Sequence, residues 1–305
     1  MIEGAILIAG PTASGKSRLA LEMARENGGT VVNADSMQVY STLRVLTARP
    51  GPEEMALVPH LLYGHVHPGE AYSTGRWLDE VEALVRADAF IGSRPVFVGG
   101  TGLYFRALTE GLSPMPAVPA RIREAWRQRL AEEGPAELHR VLAERDARAA
   151  AAILPSDGQR IVRALEVEEA SGRSIMDWRA QRGRPLVDEA SATKLLLLPE
   201  REELVANIDR RFETMMSEGA MDEVHALVEM GIDPAMPAMK AIGVRELASV
   251  LAGELELEDA IARAKAATRQ YSKRQATWFR HQLGPGWQAL KSIDIRPSKV
   301  SINPS

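Results

Sequence analysis

Residues Gly10-Pro11-Thr12-Ala13-Ser14-Gly15-Lys16-Ser17 spell G-x-x-x-x-G-K-[ST] without a mismatch, and no other stretch restricts the fold as much. Ahead of them, Gly4 to Ala9 is a short apolar run that predicts a buried strand. Behind them, Arg18 to Glu26 is a good helix former with apolar residues at helical spacing. Glycines let backbone N–H groups curl round an anion, and the helix N-terminus adds partial positive charge. Lys16 is then a point charge for phosphate and the Ser17 hydroxyl a Mg²⁺ ligand. A glycine turn that binds nothing is the alternative, and the flanking strand and helix argue against it.

The chain of 305 residues suits one large domain or two modest ones. It has no cysteine, which excludes disulfides and thiolate metal sites and fits a reducing cytoplasm. The first apolar run ends in the glycine loop and lacks a basic lead, so it does not read as a signal peptide. No apolar run approaches a membrane span. A net charge of −4 argues against a surface coated in positive charge but allows a local basic patch.

Thr30 to Ala34 predicts a second strand, which delivers Asp35-Ser36-Met37-Gln38-Val39-Tyr40. Ligands in open α/β sheets bind at the carboxyl ends of strands, so Asp35 is expected beside the glycine loop as a base, with a turn cap as the alternative. The pattern from Arg44 to Pro68 is weak, and His60, His65 and His67 read as loop or core residues more than as a metal site. A helix is expected over about 75–89, capped near Ser73. Arg94 to Gly100 predicts a third strand that ends in glycines with no acid, which lowers an ATPase reading. Thr101 then falls at an N-cap-like position before a helix.

Ser113 to Pro119 is a proline-rich joint, and the chain beyond it to about Thr193 reads as helical. Arg160 and Arg163 share a helix face there, which on periodicity alone reads as solvated and paired with Glu166. Lys194 to Pro199 returns the chain to the sheet, and helices follow, divided by Gly219 and Gly231. Arg210 and Arg211 are placed to clamp a phosphate or to pair with Glu213. In the last helix, about 257–283, Lys265, Arg269, Lys273 and Arg280 form a one-sign stripe suited to a nucleic-acid backbone, with Tyr271 and Trp278 turned toward the core.

Taken together, these patterns predict an α/β fold: a P-loop NTPase-like core with a parallel, nucleotide-kinase-like sheet and an all-helical insertion. The expected divisions are 1–112 and 194–287 for the core, 113–193 for the insertion and 288–305 for a disordered tail.

Six motifs resemble bacterial tRNA dimethylallyltransferases in order and spacing. They are the glycine loop, Asp35 to Tyr40, Val98 to Tyr104, Gln159 to Glu166, Lys240 to Arg245 and Thr268 to Trp278, and the likeness runs over roughly residues 4 to 283. It implies transfer of a dimethylallyl group from dimethylallyl diphosphate, with Mg²⁺, to N6 of the adenosine beside the anticodon of tRNA. Asp35 is implied as the base, Thr101 as an orienting group, and Gly10, Pro11, Thr12, Ala13, Ser14, Gly15, Lys16, Ser17 and Arg211 as diphosphate contacts. Implied tRNA contacts are Asp35, Ser36, Met37, Gln38, Val39, Thr101, Arg123, Gln159, Arg160, Ile161, Val162, Arg163, Lys240, Ala241, Ile242, Gly243, Val244 and Arg245, to which the basic stripe adds Arg269 and Lys273. A monomer free of membranes is expected.

The chain departs from the family pattern at Asn207, where Arg is usual, at Leu61 in place of a second histidine, and at Arg49, where Lys is commoner. The cationic contact expected at Asn207 is then either missing or supplied by Arg210. A small-molecule kinase and a non-catalytic RNA-binding protein are the competing readings.

Overall fold

A computed structural model of the chain describes residues 1–181 and 183–292. The described residues fall into two compact units, one of residues 1–109 together with 185–292, the other within 110–184.

The first unit is built on a parallel sheet. Strand β1 (Ile6–Ala9) leads into α1 (Lys16–Glu26), and β2 (Gly29–Asn33) follows. Next come α2 (Pro52–Leu57), the two-residue β3 (His60–Leu61), α3 (Thr74–Arg86), β4 (Arg94–Gly99) and α4 (Gly102–Glu110). The second unit carries α5 (Ala120–Arg145), α6 (Ala147–Ala151), α7 (Gly158–Ser171) and α8 (Ile175–Arg179) around its own core of Trp126, Leu138, Leu142, Ile161 and Leu165. Helix α5 is broken at Gly134, whose φ of 80° and following Pro135 no continuous helix accommodates. The chain then adds β5 (Thr193–Leu197), α9 (Arg201–Ser217), α10 (Ala220–Glu229), α11 (Val244–Leu251), α12 (Leu257–Gln282) and β6 (Gln288–Leu290).

The strand order is β3-β2-β4-β1-β5-β6, parallel throughout. β1 is central because every residue in it is apolar and fully buried, the mark of a strand covered on both faces. One face packs Leu7, Val32, Phe97, Phe105 and Phe279; the other packs Ile6, Ile8, Leu19, Met23 and Leu195. Trp77 of α3 anchors the first face, stacked on Tyr104 at 4.2 Å, with its indole N–H donating to the Asn33 carbonyl at 2.8 Å. A third cluster joins Val39, Tyr40 and Leu43 to Phe212, Val224, Val244 and Leu247.

Two expectations are corrected. Residues 185–193 belong with the sheet and not with the helical unit: Val187 bridges Ile2, and the Leu108 carbonyl accepts from the Leu186 and Val187 N–H groups. The segment 288–290 is no disordered tail but edge strand β6, paired with β5 through Leu197 and Leu290. The remainder of the predicted tail from 293 lies outside the described residues.

Candidate active site

The glycine loop leaves β1 at the carboxyl edge of the sheet, beside the ends of β2 and β4. Gly15, at φ 84°, turns the chain into α1, and its left-handed conformation is one that side chains rarely adopt. A Cβ at Gly10 would stand 2.7 Å from Ser14 Oγ and 3.0 Å from the Leu197 carbonyl, so only glycine fits where the loop leaves the sheet. Lys16 folds back over the loop, its Nζ donating to the Pro11 carbonyl at 3.2 Å. Burial pushes the Lys16 ammonium down to about 8, against the pull of the Asp35 carboxylate and with the Arg211 charge adding to the drop. Ser17, in the first turn of α1, is exposed, and among the described residues nothing hydrogen-bonds its hydroxyl.

Thr12 is held from two helices. Arg211 of α9 donates through Nη2 to Thr12 Oγ1, and the Thr12 N–H donates to Gln275 Oε1 of α12 at 2.9 Å. Burial pushes the Arg211 guanidinium down to about 10, opposed by the Asp35 charge. Asn207 Nδ2 lies 3.5 Å from the Ala13 carbonyl while its Oδ1 accepts from Arg210 Nη2 at 2.5 Å. Arg210 therefore meets the loop through Asn207 and does not replace a direct cationic contact. Nor do Arg210 and Arg211 pair with Glu213, which is taken by Lys265 at 2.7 Å.

Asp35 sits two residues past β2 with its backbone fixed by buried Asn33: the Asp35 N–H donates to Asn33 Oδ1 at 2.8 Å, and Asn33 Nδ2 donates to the Asp35 and Leu62 carbonyls at 3.0 Å each. Its Oδ1 accepts from the Met37 N–H at 3.0 Å, so the turn-capping role coexists with a carboxylate facing the site. The Asp35 charge adds to burial in raising the phenols of Tyr63, Tyr104 and Tyr271. Tyr271, expected from sequence to turn toward the core, is partly buried and feels the Asp35 charge. Thr101 does not use its hydroxyl as a helix cap: Oγ1 accepts from the Ser36 N–H at 3.0 Å and donates to Ser36 Oγ at 3.3 Å, joining the ends of β2 and β4.

The sequence-predicted site residues separate by exposure. Lys240, Arg245 and Lys273 are exposed in the first unit, as are Arg123, Gln159 and Arg160 in the helical one. Val39, Ala241 and Val244 are buried in the first unit, and Ile161 and Val162 in the second, so none of these side chains is presented to a partner. Gly243 is also buried, at φ 97° on the N-terminus of α11, and Ile242 and Met37 are partly covered. Gln38 spends its amide N–H groups on the Thr47 and Ala48 carbonyls at 2.9 Å. In the helical unit Arg163 pairs with buried Glu166 at 3.2 Å and Arg160 with Asp157 at 3.4 Å, and both charges lower the Arg179 guanidinium after burial has done so. The three histidines disperse: His60 bonds the Val58 carbonyl, His65 bonds Glu80, and His67 accepts from the Gly69 N–H.

Sequence reasoning missed Asn33 and Gln275. A polar residue closing an otherwise apolar strand signals the first; a glutamine amid small residues on the apolar face of α12 signals the second.

The chain matches the IPP transferase family model over residues 38–282 and the isopentenyl transferase model over residues 3–63. A tRNA dimethylallyltransferase of a Chelativorans species is 62% identical over 95% of this chain and 99% of its own, and that of Mesorhizobium japonicum is 60% identical over 96% and 91%. Among solved structures, a tRNA isopentenylpyrophosphate transferase from Bacillus halodurans superposes with a TM-score of 0.68 at 32% identity, over 97% of this chain and 93% of that one. A eukaryotic dimethylallyltransferase caught acting on tRNA gives a TM-score of 0.80 at 27% identity, over 96% and 75%. These likenesses favour neither the kinase nor the non-catalytic reading, and the chain belongs to the tRNA dimethylallyltransferase family, enzymes on a P-loop NTPase-like fold.

Proposed function

We propose that this chain transfers the dimethylallyl group of dimethylallyl diphosphate to N6 of the adenosine adjacent to the tRNA anticodon, releasing diphosphate. The observation that carries the reading is the meeting of a carboxylate with a phosphate loop: a Cβ at Gly100 would stand 3.1 Å from Asp35 Oδ2, and the Gln275 amide joins the Gly100 carbonyl to the Thr12 N–H of the loop. The bond from N6 to C1 of the allyl group forms as the C1–O bond breaks, with its electron pair leaving on diphosphate. Lys16, Arg211 and the loop amides stabilise the charge that grows there. The N6 amine is a weak nucleophile because its lone pair is delocalised into the ring, so its proton passes to Asp35. Thr101, locked to Ser36, orients the acceptor, and the base must leave the anticodon stack to reach it.

Among the described residues no trio of His, Asp or Glu is placed to hold a metal, whereas the free Ser17 hydroxyl is a hard oxygen donor of the kind Mg²⁺ takes alongside phosphate oxygens. Ser17 would hold Mg²⁺ there, and the ion would neutralise charge on the leaving diphosphate. The exposed side chains of Arg123, Gln159, Arg160, Lys240, Arg245 and Lys273 suit the tRNA backbone, and Val39, Ile161, Val162, Ala241 and Val244 serve by shaping the chain around them. Among the described residues no helix is long and apolar enough to cross a membrane. On this reading the enzyme is a monomer that works on tRNA in the cytoplasm.

The test is incubation with radiolabelled dimethylallyl diphosphate, Mg²⁺ and an unmodified tRNA transcript, without ATP. Label in the adenosine beside the anticodon is expected. Its absence, with a small molecule phosphorylated when ATP is supplied, would overturn the reading.

A further inference from the structure

Gln275 lies deep in the protein with both ends of its amide engaged on different halves of the site. Its Oε1 accepts from the Thr12 N–H of the phosphate loop at 2.9 Å, and its Nε2 donates to the Gly100 carbonyl, just past β4, at 2.9 Å. The two ends cannot exchange, because Thr12 offers a donor and Gly100 an acceptor. The turn around Gly100 leaves no slack: a Cβ there would stand 2.3 Å from Gln275 Nε2 and 3.1 Å from Asp35 Oδ2. One helical turn along α12, Trp278 closes on Gly102, where a Cβ would meet its ring at 2.0 Å. Thr101 is therefore gripped on both sides by α12, while Thr12 is gripped by Gln275 and Arg211.

We propose that Gln275 is a positioning residue that sets the distance between the diphosphate subsite at Thr12 and the Asp35–Thr101 pair that receives the acceptor. The inference rests on the function proposed above. Group transfer to a weak nucleophile depends on the separation of leaving group, allyl carbon and base, and a displacement of about 1 Å costs on the order of 100-fold in rate. Among the described residues, Gln275 is the one side chain that hydrogen-bonds both the loop and the Gly100 carbonyl. A simple packing residue would need volume there; this one also needs a donor and an acceptor of fixed polarity.

Two substitutions test it. Gln275→Met keeps the volume and removes both hydrogen bonds. Its kcat is expected to fall by about 100-fold with the KM for tRNA unchanged, and its affinity for inorganic diphosphate with Mg²⁺ to fall in calorimetry. Gln275→Glu keeps the acceptor for Thr12 but, when ionised, opposes the Gly100 carbonyl; protonated, it regains the donor. Burial raises such a carboxyl, so the activity of this variant relative to the parent is expected to rise as pH falls. Lys16 and Arg211 lie beside the site in both proteins, so the profile is read as a ratio to the parent. Parent-like kcat in a folded Gln275→Met, or a ratio independent of pH in Gln275→Glu, overturns the proposal. If Gln275→Met does not fold, the pH ratio decides. A parent that modifies no tRNA counts against the proposed function, and Gln275 is then judged by diphosphate affinity, which must still fall.

Discussion

The Arg269 guanidinium of α12 lies 2.7 Å from the Asp209 carboxylate of α9. One turn earlier, Lys265 pairs with Glu213 of the same helix, also at 2.7 Å. The basic stripe that α12 shows in sequence is thus half neutralised from within the protein. Lys273 and Arg280 stay exposed, and among the described residues no acid pairs with them.

The two kinds of cation separate in a salt titration of tRNA binding. Lys273→Ala is expected to reduce the slope of log K against log salt by about 1, as loss of one phosphate contact does. Arg269→Ala is expected to change the slope less, because Asp209 already compensates that charge. Equal changes in filter-binding titrations of the two variants would show that the Arg269 pair opens on tRNA.

The parts legible in sequence are those whose information is local. Strand, glycine loop and helix from Ile6 to Glu26 stand together because motif and apolar pattern coincide. The position of Asp35 after an apolar strand predicts that it lies at the carboxyl end of β2, and there it stands, close to Gly100 at the end of β4. The pairing of α12 with α9 was not legible, because charges far apart in sequence give no periodic signal. Gln275 reaches partners 263 and 175 residues away. The weak stretch 44–68 is ordered largely by side chains bonding backbone, not by repeating pattern: Arg49 donates to the Tyr40 and Ser41 carbonyls, and Gln38 to those of Thr47 and Ala48.

The same stretch yields a stability prediction. The Glu223 carboxylate of α10 accepts from the N–H groups of Arg44, Val45 and Leu46 at 2.8, 2.5 and 3.1 Å. Glu223→Ala orphans all three donors and is expected to cost on the order of 2–3 kcal/mol. Glu223→Gln keeps an acceptor oxygen and is expected to cost less. Urea denaturation checks both; parent-like stability in the alanine variant would mean that water satisfies the loop.

Lys16 predicts a pH dependence of diphosphate binding. Its ammonium titrates near 8 in the protein against an ordinary 10.5, chiefly through burial. Between these values the unfolded chain holds more protons than the folded one, so this group adds to stability as pH rises through that window. Binding runs the other way: diphosphate needs the charged form, so affinity for inorganic diphosphate with Mg²⁺ is expected to fall as pH rises above about 8, with a proton taken up on binding. Calorimetry at pH 9 in buffers of different ionisation enthalpy reads that proton, the pH chosen about one unit above the shifted value. Lys16→Ala is expected to bind more weakly and to lose the uptake; uptake that persists in the variant assigns it to another group.

Asp35→Asn separates the base from the scaffold. The side-chain oxygen that accepts from the Met37 N–H at 3.0 Å can be kept by the amide, and the backbone bonds to Asn33 are untouched, so the turn is expected to hold its shape. What goes is the proposed proton acceptor for N6 and a negative charge that acts on Lys16 and Arg211. Transfer to tRNA is expected to slow by about 10²–10⁴-fold, the usual share of a general base, while tRNA affinity stays near that of the parent. The lost charge also removes the pull that partly offsets burial at Lys16, so the weakening of diphosphate binding should begin at a lower pH than in the parent. Single-turnover transfer and the calorimetric pH series read these two effects independently. Undiminished transfer would remove Asp35 as the base, and an unshifted binding profile would remove its electrostatic link to Lys16.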